Sequence, residues 1–209
     1  MKRLLTLALL SALSAHAAWI PITALPVTIT VPGNYYFVSN MYEPTPVWAT
    51  AITVNAPGPV VIDLRGFELV GPEGYASGSS GILIQSNDVT IENGSIEGFM
   101  DQLQAVLQTY PYEPMTGIRL LNLYFTGCGE YSVSFEKVNN GVVRDCIFTF
   151  LNTGFSGTPG PLILDGGSAT GNSYINDKFL GTSFSSSTDM MAVTGEPNGS
   201  YTVNILPSK

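Results

Sequence analysis

Six short apolar runs in the chain each close on a polar residue: Asn55, Gln85, Gln108, Glu136, Asp165 and Thr194. Two of these are carboxylates on consecutive runs. If the runs lie side by side as strands, Glu136 and Asp165 stand on neighbouring strands with side chains about 5 Å apart. That is the separation at which one carboxyl acts as acid and the other as nucleophile on a glycosidic bond. The same oxygens, joined by Glu196, are a weak candidate for calcium. The plainer reading is two solvated surface acids in a chain with sixteen acidic residues. A second kind of chemistry is recognition without reaction. Gln85 and Gln108 offer amides along the stack, while Tyr110 and Tyr112, beside Glu113, offer rings that pack against the apolar faces of sugars. Tyrosines in so proline-rich a turn serve equally well to pack their own loop.

What the chain lacks narrows the chemistry further. Its only histidine, His16, falls inside an N-terminal leader: Lys2 and Arg3, an apolar run over residues 4–15, then the small-x-small pattern Ala15, His16, Ala17. Such a leader (residues 1–17) directs export and is removed. The mature chain then has no imidazole base, no Ser-His-Asp triad and no histidine metal site. Loss of Lys2 and Arg3 leaves six basic residues against sixteen acidic ones, a formal charge of −10. That balance excludes nucleic acid as a partner and repels anionic membranes and polyanions. No later segment is apolar for long enough to span a bilayer as a helix. Cys128 and Cys146, 18 residues apart, can form a disulfide in an oxidising compartment or fill a core as two thiols.

The elements that would position these groups are short and recurrent. Runs over residues 51–55, 81–85, 105–108, 132–136, 162–165 and 191–194 form one series. Each is followed, after a turn rich in Asn, Gly, Pro or Ser, by a second run near residues 60–64, 89–92, 117–121, 141–144, 173–175 and 200–204. A third, shorter series carries Leu69, Ile96, Phe125, Phe148 and Phe179, spaced by 27, 29, 23 and 31 residues. Three strands per repeat at a period near 27 predict a solenoid of about six coils. Between the second and third strands sits one polar residue per coil: Asn93, Asn122, Asp145 and Asn176. Stacked at strand spacing, these side chains can bond one another as a ladder.

Residues 60–71 and 89–99, together with that ladder, resemble the right-handed parallel β-helix proteins of the pectate-lyase-like superfamily. The opening at residues 31–37 is similar to the start of many of its members, and the resemblance spans residues 27–207. It implies an all-β, single-stranded right-handed parallel β-helix, with residues 18–50 as an N-terminal capping segment and 51–207 as the helix domain. It also implies that activity, where present, uses the outward face of the first-strand sheet. Lyases of the family set Lys or Arg there, and this chain sets none. Arg119 and Arg144 fall on the second strand, suited to ion pairing or solvation. The family's hydrolase and epimerase signatures are absent too. The expectation is a secreted or periplasmic, non-catalytic protein that binds a polysaccharide or cell-surface component, with no cofactor unless calcium. The alternative is a small lyase or glycoside hydrolase working through Glu136 and Asp165.

Overall fold

A computed structural model describes residues 18–43, 50–72, 79–105, 113–127, 131–135, 137–149, 163–165, 171–181, 191–193 and 201–207. These residues are all β, with no helix among them. Every strand pairing is parallel. A seven-stranded sheet takes the first series of runs in reverse chain order: Met191–Val193, Ile163–Asp165, Tyr131–Phe135, Asp101–Ala105, Ser80–Ile84, Thr50–Val54 and Val27–Ile29. An eleven-stranded sheet carries the second and third series. Its spine runs Trp19–Ile22, Gly33–Phe37, Val60–Asp63, Val89–Glu97, Arg119–Thr126, Val142–Arg144 and Ser173–Gly181, and Tyr201–Pro207 pairs with the last of these. Met115–Thr116 and Val138–Asn139 form a small third sheet.

Parallel strands cannot be joined by a tight hairpin. The chain here leaves one sheet, turns and enters another, so strands that pair come from successive repeats. The third series shows this register directly. Leu69 pairs with Ile96, Ile96 with Phe125, Phe125 with Phe148 and Phe148 with Phe179, as their spacing predicts. The buried faces of the sheets meet in one core. Ile52, Ile82, Leu103, Val133 and Ile163 enter it from the seven-stranded sheet, and Ile62, Ile91, Leu120, Val143 and Tyr174 from the larger one. In-register aromatic rings stack within it. Phe125 and Phe148, and Phe148 and Phe179, lie 5.0 Å apart between centroids with planes 5° and 13° apart. No helix among the described residues is long and apolar enough to cross a membrane.

In two runs the expected phase is off. The apolar pattern sets the run at 105–108, yet the strand is Asp101–Ala105, with Ala105 aligned to Ile84 and Phe135. Its leading residues, Asp101 and Gln102, are buried polar groups. Hydrophobic patterning therefore slid the element toward the more apolar residues behind it. In the run 162–165, an alternation that turns Leu162 and Leu164 inward would turn Ile163 outward, yet Ile163 aligns with Val133 and is fully buried. A continuous apolar run has no alternation, and a one-residue slip exchanges its faces.

Candidate functional site

The corners between second and third strands are set by residues that tolerate left-handed backbone. Asn93 (φ 59°), Asn122 (φ 53°), Asp145 (φ 57°) and Asn176 (φ 57°) all adopt it, and Asn and Asp do so at lower cost than other side chains. The bend lets one continuous strand, Val89–Glu97, pair with Val60–Asp63 before it and Glu68–Val70 after it. Ladder bonds follow. Asn122 Nδ2 donates to Asn93 Oδ1 at 3.1 Å, and Asn93 Nδ2 to Asp63 Oδ1 at 3.2 Å. Asn176 Nδ2 donates to Asp145 Oδ1 at 2.7 Å. These side chains are spent on one another, which makes the ladder a structural element. Asn93→Ala forfeits both ladder bonds and the left-handed preference, an expected loss of about 2 kcal/mol in denaturant unfolding. Asn93→Gly should recover the backbone part alone.

Next to the ladder lies Asp177, fully buried. Its Oδ1 accepts the backbone N–H of Cys146 at 2.7 Å, while Oδ2 has no partner among the described residues. Burial above all, then the charge of Asp145, pushes its carboxyl up to about 7 against the bond from Cys146. Cys146 is a buried free thiol, with Sγ 3.4 Å from the Arg144 carbonyl oxygen and 3.6 Å from that of Leu120. Burial pushes it up to about 12, so the nucleophilic thiolate is absent at neutral pH. Cys128 lies outside the described residues.

Among the described residues, an open polar depression lies on the turns that leave the seven-stranded sheet. Asn55 to Gly58 and Gln85 to Asp88, from successive repeats, line a depression of about 410 Å³. Backbone bonds fix both turns at the strand ends, from Asn55 N–H to Ile29 O at 2.9 Å and from Gln85 N–H to Val54 O at 2.8 Å. Asp88, left-handed at φ 57°, donates its N–H to Thr116 O at 2.9 Å, and Asn87 Oδ1 accepts the Thr116 N–H at 2.8 Å. Asn55 and Asp88 are exposed, Gln85 half-buried and Ser86 buried. The walls thus offer amides, one carboxylate and a proline ring, a set suited to a ligand rich in hydroxyls.

Of the binding candidates, Gln85 falls in this depression, and Asn55 from the same stack faces it across the repeat. Gln108, Tyr110, Tyr112, Glu136 and Glu196 lie outside the described residues. Asp165 is the backbone partner of Phe135, the residue before Glu136. Among the described residues no group of three or more His, Cys, Asp or Glu is placed to hold a metal. Arg144 reaches the neighbouring Asp145 at 3.4 Å, an exposed ion pair. By residue type alone Asn87 and Asp88 are turn formers. The signal that they also line a site is their adjacency to Gln85, which becomes visible once successive turns are stacked. No family model, curated protein or solved structure matches the chain.

Proposed function

We propose that the chain is an exported right-handed parallel β-helix of the pectate-lyase-like kind, which binds carbohydrate on a cell or matrix surface without altering it. The winding is supported by the pairing pattern, in which each repeat visits the same sheets in the same order and register. The leader at residues 1–17 supports export. The observation that carries the binding reading is the polar depression lined by Asn55, Gln85, Ser86, Asn87 and Asp88. The side-chain amides of exposed Asn55 and half-buried Gln85, on successive turns, match the donor and acceptor edges of a sugar. The wall of the depression carries one carboxylate, that of Asp88.

The test is calorimetric titration of neutral oligosaccharides, with reducing ends assayed on the recovered ligand. The account expects binding with the ligand recovered intact. Gln85→Ala should weaken binding about five- to tenfold, the effect of roughly one lost hydrogen bond. Absence of binding to any oligosaccharide or envelope fraction would overturn the reading.

A further inference from the structure

The corner at residues 64–67 departs from those that follow it. Between strands that stay in register, residues 64–67 stand opposite Asn93 and Gly94, so this corner is two residues longer. Arg65 (φ 53°) and Gly66 (φ 80°) are both left-handed, and Phe67 N–H closes the turn on Leu64 O at 2.8 Å. Gly suits such a turn at no cost and Arg does not. Strain held at one residue is a reason to ask what its side chain does.

The Arg65 guanidinium lies over the ring of Tyr36, 3.6 Å from its centroid, and 5.7 Å from that of Trp19. Trp19 meets Tyr36 edge to face at 6.5 Å and keeps 41% of its surface exposed. Stacking fixes the plane of the guanidinium and leaves its N–H edges free. Among the described residues no carboxylate is within ion-pair reach of it. An exposed arginine pinned flat and unpaired in a chain with twice as many acids as bases is a preorganised fork for an oxyanion. Along the sheet from Tyr36, however, the same row continues with Asp63 and Glu92. Burial, then Asp63, raises the Glu92 carboxyl above its usual range.

We propose that Trp19, Tyr36 and Arg65 form a second glycan subsite, which stacks a sugar ring on Trp19 and grips one anionic group on Arg65, within an otherwise neutral chain. Asp63 and Glu92 repel a ligand charged along its length. The inference rests on the carbohydrate-binding reading above and adds the charge pattern of the ligand.

Three probes test it by calorimetry on the folded chain. They are a neutral glucan hexasaccharide, the same hexasaccharide carrying a single terminal uronate or sulfate ester, and a hexauronate. The singly charged hexasaccharide should bind at least tenfold tighter than the neutral one and tighter than the hexauronate. Arg65→Gln should erase that preference. Arg65→Asn, which suits a left-handed corner, should do the same and guards against a folding defect. Trp19→Ala should weaken both hexasaccharides about tenfold. Preference that survives Arg65→Asn, or a hexauronate that binds best, would overturn the subsite. Equal binding of neutral and singly charged probes would overturn it while leaving the carbohydrate reading intact. Silence from all three would overturn both.

Discussion

Replacing Asp177 with Asn is expected to stabilise the protein at pH 9 and to flatten its stability between pH 4 and 8. The folded state holds the Asp177 proton up to about pH 7, against an ordinary value of 3.8. A carboxyl shifted upward contributes its full stability below the unfolded value and loses it as pH rises through the folded one. Over that window ionisation costs on the order of 4 kcal/mol. The physical cause is a buried carboxylate with one oxygen bonded to Cys146 N–H and the other without a partner. Asn keeps the accepting oxygen and cannot ionise. Thermal unfolding followed at pH 4, 7 and 9 should show the variant within about 1 kcal/mol of the parent at pH 4. At pH 9 it should melt up to about 10 °C higher. Parallel pH profiles for the two proteins would mean that Asp177 titrates elsewhere or is solvated.

Phe148→Ala should be the most damaging single change among the core residues. Phe148 is fully buried and sandwiched between Phe125 and Phe179, each 5.0 Å away. Truncation removes both ring contacts and leaves a cavity that the two flanking strands, held in parallel register on either side, cannot collapse. The expected cost is about 3–5 kcal/mol, read as a lower denaturant midpoint at unchanged slope. Phe148→Leu, which refills most of the space, should cost under about 2 kcal/mol. Equal costs for Ala and Leu would show that the stack carries no packing energy of its own.

These two residues also illustrate how far the sequence could be read. Phe148 belongs to the series Leu69, Ile96, Phe125, Phe148 and Phe179, and its partners were legible because one apolar residue recurs at one phase of every repeat. The ladder was legible for the same reason, with Asn or Asp at the left-handed corners of residues 93, 122, 145 and 176. Asp177 was not. It follows Asn176 directly and resembles any surface acid until the backbone irregularity between Ile175 and Asp177 turns it inward. The strand Asp101–Ala105 was missed because buried polar residues break the hydrophobic pattern that locates strands. Trp19, Tyr36 and Arg65 meet across 46 residues of chain, and only the register of Gly33–Phe37 against Trp19–Ile22 on one side and Val60–Asp63 on the other brings them together. Gln85 was singled out from its place in the stack. The depression around it depends on how two turns pack, which residue types alone do not specify.

The central claim is that the protein holds a glycan in the depression lined by Asn55 and Gln85 and releases it unchanged. A nuclear magnetic resonance titration of the folded chain with a neutral hexasaccharide tests this most directly, since it locates contact and reports on the ligand at once. The account predicts amide shifts clustered at residues 55–58 and 85–88, with the sugar's own resonances intact after prolonged incubation. Shifts confined to other surfaces, or the appearance of new anomeric signals from cleaved sugar, would contradict it.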